Sequence, residues 1–134
     1  MNRKQARENA FILLFEAECR DDQTAQEIFE YANELEEFQC DAYVKCVFFG
    51  VQERKIEINS LINEAIVGWS NKRISPVSKA LLALATYEML SVEDVPAKVA
   101  INEAIELSKK YDDEKAYIFV NGVLNKIANK LSLM

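Results

Sequence analysis

The chain has 134 residues, half of them apolar, and a formal net charge of −6. That apolar fraction argues against disorder, and the length predicts one domain with its own core. The absence of histidine excludes Ser-His catalytic triads and histidine-containing metal sites. Only three glycines and two prolines are present, which favours a few long helices over many strands.

The acidic residues are concentrated in one segment. Residues 21–41 hold eight acids and no base, so the rest of the chain carries a net charge of +2. Net acidity argues against strong non-specific binding of nucleic acid, but the segregation leaves room for a local basic site.

The compartment is predicted from cysteine usage and apolar runs. Three scattered cysteines without a CxxC motif fit a reducing cytosol. The polar N-terminus does not resemble a secretory signal, and no apolar run is long enough to span a bilayer. We therefore expect a cytoplasmic protein without a membrane partner.

The first predicted helix spans residues 3–18 and begins with a basic turn. Arg3 and Arg7 lie one turn apart, with Lys4 beside them. Cations at a helix N-terminus oppose the helix dipole, and a local rule broken without visible compensation is typical of functional sites. Two interpretations stay open: a phosphate clamp, or a solvated basic end offset by Glu8.

The next helices are predicted from their caps. Thr24-x-x-Glu27 forms a capping box, and Asp41 is placed to cap the helix that follows. We expect four residues of the second helix to face the core: Ile28, Tyr31, Leu35 and Phe38.

The third helix is predicted to bend near residues 55–57 and to end at Gly68. A mid-helix glycine, Gly50, indicates close packing. Trp69 follows an apolar stripe directly, which favours a core anchor over a base-stacking platform.

A central helix is predicted after Ser75-Pro76, an N-cap followed by proline at the first helical position. It runs to about Leu90 and is apolar nearly all round, which is typical of a buried helix. Lys72 and Arg73 form a small basic pair in the loop before it.

Two helices joined by a polar turn are predicted for residues 95–131. Pro96 is tolerated in a first turn, and residues 112–114 (Asp-Asp-Glu) can cap the second helix. Gly122 lies mid-helix at a cost of about 1 kcal/mol against alanine, so we expect another helix to approach closely there. We expect three polar residues to form interhelical hydrogen bonds within this pair: Asn102, Glu103 and Asn121.

These C-terminal helices also carry a family resemblance. The segments VPAKVAINEAIELSKKY and FVNGVLNKIAN, with RKQARENA near the N-terminus and YEML in the centre, resemble the NusB family of bacterial antitermination factors. The similarity covers nearly the whole chain. It implies an all-α, NusB-like bundle of about seven helices in two packed subdomains, at about 1–70 and 71–134.

The resemblance implies a non-catalytic RNA-binding factor. Such a protein would bind the single-stranded boxA element of nascent ribosomal RNA together with the ribosomal protein NusE. The pair would act within the RNA polymerase antitermination complex. No cofactor and no metal are implied, and the oligomeric state, a homodimer included, stays open.

The resemblance also assigns site residues. Arg3, Lys4 and Arg7 match an arginine-rich first turn that contacts RNA in the family. Lys115 lies in a turn that the family directs toward RNA. Phe15 and Phe119 lie near the RNA surface, where a ring could stack on a base, although their apolar neighbours favour core edges.

Two positions depart from the family pattern. Ala83 stands where an arginine is common, and an acid is often found near Ser78. The departure at Ala83 puts one RNA contact of the family in doubt, and the departure near Ser78 puts one partner contact in doubt.

Two other functions remain as alternatives. One is a structural helical oligomer without an RNA role. The other is a stand-alone relative of the RNA-binding domain of ribosomal-RNA cytosine methyltransferases. Because the sequence has no cofactor-binding α/β unit after its helices, we expect no enzymatic activity.

Overall fold

The computed structural model describes residues 1–69 and 74–133, so the predicted basic pair Lys72 and Arg73 lies outside the described residues. Within these ranges the chain forms seven helices and no strand, which confirms the all-α prediction. In chain order they are α1 (Arg3–Cys19), α2 (Ala25–Glu34), α3 (Ala42–Glu53), α4 (Lys55–Ala65), α5 (Pro76–Ser91), α6 (Ala97–Tyr111) and α7 (Ala116–Lys130).

The predicted caps start three of these helices. Thr24 and Glu27 satisfy each other's backbone N–H groups at the start of α2. The Asp41 carboxylate accepts from the Val44 N–H in α3, and the Ser75 hydroxyl accepts from the Ser78 N–H in α5. Each cap satisfies a donor that the first turn would otherwise leave unpaired.

The predicted bend and stop in the third helical segment are close to the observed ones. The helix breaks at Arg54, one residue before the predicted bend, and α4 ends at Ala65. Gly68 follows with φ +101°, in the left-handed region that favours glycine. It therefore redirects the chain after the helix has ended.

Helix α5 is the centre of the bundle, as its all-round apolar surface predicted. It packs against α1, α3, α4, α6 and α7. Leu81, Leu82 and Leu84 are at most 1% exposed, and they join a buried cluster that draws on all seven helices. The division into two subdomains stays a prediction.

Both mid-helix glycines allow close packing against an aromatic ring. A Cβ on Gly50 would lie 2.4 Å from Cζ of Tyr87, and one on Gly122 would lie 2.7 Å from Cζ2 of Trp69. The sequence predicted that another helix approaches Gly122. The neighbour is instead the side chain of Trp69, which lies after the end of α4. Trp69 packs against the core as predicted, with its ring T-shaped against Phe119 at 5.2 Å.

Two details of the sequence interpretation are wrong. In α2 the inward residues are Ile28, Phe29 and Ala32, whereas Tyr31 and Leu35 are 60% and 46% exposed. The helix has apolar residues on both sides, and Phe29 faces inward because its ring packs on Phe49 at 5.1 Å.

The predicted polar contacts inside the C-terminal pair are the second error. Asn102 and Asn121 are exposed, and the Asn121 side chain accepts from Asn125, one turn along the same helix. Glu103 does make interhelical contacts, but its partners lie on α1.

Candidate nucleic-acid interface

Helix α1 lies alongside α6, and charged side chains line the contact. Lys4 reaches Glu103 and Glu106, and one turn later Glu8 reaches Lys110. We call these five residues the α1–α6 seam. Because helical positions four apart share a face, one side of α1 presents this series along α6.

The basic first turn exposes two of its three cations. Asn2 caps α1 by accepting from the Gln5 N–H. The side chains of Arg3 and Lys4 are 43% and 66% exposed. Both charges are therefore accessible to a phosphate.

Arg7 is different, and it corrects the expectation that it shares the solvent face. Its side chain is 4% exposed, and Nε donates to both carboxylate oxygens of Glu88 at 3.0 and 2.9 Å. Its Nη1 also donates to Glu103 at 3.2 Å. A guanidinium that is buried and paired in this way is not accessible to a phosphate. Burial opposes the charge of Arg7, but the charge and hydrogen bond of Glu88, together with Tyr43 and Glu103, outweigh it and the pKa of Arg7 is raised.

The dipole conflict at this turn is compensated by acids from elsewhere in the chain. Arg3 Nη2 lies 3.6 Å from Asp94, and Lys4 Nζ lies 2.5 Å from Glu106. The hydrogen bond to Glu106 is the main cause that raises the pKa of Lys4. Glu8, the residue expected to offset the turn, is instead bonded to Lys110 and Tyr111. A phosphate at Lys4 would have to compete with Glu106.

The predicted aromatic residues occupy different environments. Phe15 is half-buried, and its ring lies 6.2 Å from that of Phe11, which in turn lies 5.1 Å from Tyr111. Phe119 is 5% exposed and packs edge-on against Trp69, so it belongs to the core. With 5% of the residue exposed, little of its ring is available for stacking on a base, which argues against that expectation.

Lys115 borders a cavity of about 460 Å³ between the start of α5 and the α6–α7 turn. The hydroxyls of Ser75 and Ser78 both donate to Asp112 there, at 2.6 and 3.2 Å. Phe119 lines the same cavity, and Lys115 itself is exposed. Ser78 is therefore buried, and its hydroxyl is bonded to Asp112, the C-cap residue of α6.

Ala83 lines a second cavity, of about 350 Å³, between α1, α4 and α5. Arg20 and Lys55 border the same space. Two cations therefore lie around the position where the family often has an arginine.

Comparison with known proteins identifies the chain's relatives. The model of the NusB family matches residues 4–129. The chain belongs to the NusB family. It is 44% identical to the transcription antitermination protein NusB of Clostridium perfringens strain SM101, over 95% of this chain and 96% of that protein.

Solved NusB structures share the fold. The T. maritima NusB structure is 36% identical and superposes with a TM-score of 0.83, covering 97% of this chain and 92% of that one. A crystal structure of NusB and NusE in complex with double-stranded RNA contains a chain that is 30% identical, with a TM-score of 0.81 and 96% coverage of both chains.

The sequence interpretation of this NusB-family chain missed three residues near the basic turn. Tyr43 lies under Arg3, with the guanidinium carbon 4.0 Å from the ring centroid, and its hydroxyl donates to Glu88. Lys110 adds an exposed cation to the seam. The YEML motif contains Glu88 and could have drawn attention to it, but nothing local links it to α1.

Metal-binding and membrane-spanning features are absent from residues 1–69 and 74–133. No group of three or more cysteine, aspartate or glutamate side chains in these ranges could hold a metal ion. None of the helices described there combines the length and the apolar character needed to cross a bilayer.

Proposed function

We propose that this chain is a non-catalytic, cytoplasmic transcription antitermination factor that binds the boxA element of nascent ribosomal RNA together with NusE. Family membership, with a NusB–NusE–RNA complex among the similar structures, supports the proposal. The observation that carries it is the exposed basic end of α1, where Arg3 and Lys4 face solvent on a protein of net charge −6.

The described residues suggest a division of roles. Lys4, Lys110 and Lys115 are exposed cations that can contact phosphates and so position the RNA. Phe15, half-buried beyond the seam, can offer part of its ring to a base. From Arg3 to Phe15 the helix rises by about 18 Å, enough to follow several nucleotides.

In this proposal Arg7 positions helix α1 and does not contact the RNA itself. It holds α1 against α5 and α6 through Glu88 and Glu103. The direction of the first turn, and with it the placement of Arg3 and Lys4, depends on that attachment.

NusE has a physical reason to be needed. The exposed cations assigned to the RNA site are few, and those in the first turn are already paired with Asp94, Glu103 and Glu106. A few phosphate contacts support only weak binding at physiological salt. We propose that NusE adds contacts or orders the RNA, within the RNA polymerase antitermination complex.

The proposal is tested by titrating a labelled boxA RNA and a scrambled control into the protein, with and without NusE. The Arg3→Gln/Lys4→Gln variant should bind boxA more weakly. Its log–log salt slope should fall by about 0.7 for each single-strand phosphate that the variant no longer neutralises.

A matched control removes two cations far from α1. Lys126 and Lys130 lie on α7 beside the α4 side of the bundle, where they contact Val67 and Glu64. The Lys126→Gln/Lys130→Gln variant has the same net charge and should keep the parent's affinity. Equal losses in the two variants would exclude the α1 site, and equal binding of boxA and scrambled RNA would contradict boxA recognition.

The remaining alternatives are distinguished by the same titration and by light scattering. A purely structural oligomer would bind neither RNA. The family match covers 96% of a NusB protein, which favours that assignment over a methyltransferase's RNA-binding domain.

A further inference from the structure

Arg3 and Tyr43 form a cation–π pair at the protein surface. Arg3 is the first residue of α1 and Tyr43 lies in the first turn of α3. The guanidinium carbon lies 4.0 Å from the centre of the tyrosine ring, which is a contact distance for a cation on an aromatic face. The Arg3 side chain remains 43% exposed, so part of the guanidinium group stays accessible to a ligand although the ring contacts it.

The ring under Arg3 is fixed from the core. The Tyr43 hydroxyl donates to Glu88, a side chain with no solvent exposure. Arg7 Nε donates to both oxygens of the same carboxylate. Burial, together with the charge of Glu88, raises the pKa of Tyr43, so the hydroxyl stays protonated as a donor. A helix-terminal arginine, which would otherwise sample many rotamers, is therefore held over a rigid support.

The ion pair of Arg3 does not account for this arrangement. Asp94 approaches one terminal nitrogen at 3.6 Å, and its side chain is 72% exposed. Exposed pairs of this kind contribute little to stability. The contact with Tyr43 adds a second attachment that helps to hold the guanidinium group in place.

We propose that the Arg3–Tyr43 pair is a stacking site for one nucleobase of single-stranded RNA, with the base on the free face of the guanidinium. This inference rests on the proposed RNA-binding function and assigns Arg3 a base contact in place of a phosphate contact. Guanidinium planes stack on unpaired bases, and every base offers a face of this kind. Lysine cannot replace arginine here, since an ammonium has no plane to stack.

The test distinguishes stacking by the planar guanidinium of Arg3 from the effect of its positive charge. Arg3→Lys should lower boxA affinity about fivefold or more while leaving the salt slope unchanged. The reciprocal control, Lys4→Arg, should stay within about twofold of the parent. A 2-aminopurine placed at successive RNA positions should change its fluorescence on binding at one position with the parent and not with Arg3→Lys, because only the parent takes that base out of the RNA stack.

Substitutions at Tyr43 test whether its aromatic ring supports Arg3 in RNA binding. Tyr43→Leu should weaken boxA binding, and adding Arg3→Lys to it should cost nothing further, because both changes remove the same stack. Tyr43→Phe keeps the ring and should bind more tightly than Tyr43→Leu. Thermal melts of each variant show whether the bundle is intact, and Arg3→Lys, being at the surface, should melt with the parent.

The outcomes are distinct. If Arg3→Lys binds like the parent while Arg3→Gln does not, Arg3 acts through charge alone; the stacking site is then wrong and the RNA-binding function stands. If the parent binds no RNA even with NusE, both proposals are wrong.

Discussion

Arg7 and Glu88 form a buried ion pair that joins α1 to α5, with Nε of the arginine 3.0 and 2.9 Å from the two carboxylate oxygens. Their side chains are 4% and 0% exposed. Taking two charges out of water is costly, so the geometry has to be good and the remaining polar atoms have to be bonded. Glu103 and Tyr43 provide those bonds. The pair therefore ties the basic turn to the core.

Removing one partner of this pair should strongly destabilise the protein. Arg7→Met leaves the Glu88 carboxylate buried without its cation, for which we expect a loss of about 3–5 kcal/mol in the free energy of unfolding. Urea denaturation measures it. The exposed Lys4→Met is the control and should unfold near the parent's midpoint. The double variant Arg7→Met/Glu88→Leu should be more stable than Arg7→Met, and equal stability of Arg7→Met and Lys4→Met would refute the buried-pair account.

The close contact between Gly122 and Trp69 gives a second stability prediction. A Cβ at position 122 would lie 2.7 Å from the Trp69 ring, so Gly122→Leu should lose about 1–3 kcal/mol through overpacking, although leucine favours helix more than glycine does. Thermal or urea unfolding measures the change. Asn121→Leu, on the exposed neighbouring position, adds the same side chain without the clash and should be close to neutral. A Gly122→Leu protein that melts at or above the parent would show that the ring moves aside freely.

Local motifs account for the parts of the fold that the sequence predicted well. The caps at Thr24, Asp41 and Ser75 act over three residues, so their partners can be read directly. The buried position of α5 follows from its composition, since a helix apolar all round has no side suited to water.

The errors have a different origin, because they depend on residues far away in sequence. The burial of Arg7 is decided by Glu88, 81 positions later. In α2 two alternative stripes have similar apolar content, and the packing of α2 against α1 and α3, including the Phe29–Phe49 ring contact, decides between them. The exposed cations Arg3 and Lys4 were identifiable from sequence, whereas the support that Tyr43 gives to Arg3 was not.

The ionised side chain of Glu8 is expected to stabilise the folded protein, and this stabilisation should depend on pH. Hydrogen bonds from Lys110 and Tyr111 hold the pKa of Glu8 below its usual range. Since the folded pKa is lower than the unfolded one, the stabilisation is present above the unfolded value of about 4.3 and is lost as pH falls through the folded value. Glu8→Gln should therefore melt below the parent at neutral pH, and the gap should narrow as pH falls below the unfolded value of about 4.3. A gap that is constant with pH would mean that the carboxylate's charge contributes nothing.

Glu106 is expected to weaken RNA binding in the parent protein. Its carboxylate bonds Lys4 at 2.5 Å and is 61% exposed, so it competes with a phosphate for the same ammonium. Glu106→Gln should tighten boxA binding by about two- to fivefold, in keeping with the small worth of an exposed ion pair. Glu34→Gln, in the acidic segment on α2, is the charge-matched control and should have a smaller effect. Fluorescence anisotropy measures both, and equal gains would indicate a general charge effect.

NusE and boxA are expected to assist each other's binding. A coupling of about 1–3 kcal/mol is typical when two ligands favour the same state, and it acts equally in both directions. Saturating NusE should tighten boxA binding by the same factor by which saturating boxA tightens NusE binding. Calorimetric titrations in both orders measure the two factors. Equal boxA affinity with and without NusE would show that the protein's own cations suffice.

The separation of Arg7 from Glu88 also sets the order in which the chain can fold during synthesis. At about 5–20 residues per second, a ribosome needs about 4–16 s to add the 81 positions between them. Until then Arg7 has no buried carboxylate, and the apolar side of α1 has no α5 to cover it. Helix α1 can pack on α2 and α3 before α5 is made, but its burial is complete only once α5 is present. The segment that completes the core around α1 is therefore the central helix and not the C-terminal one.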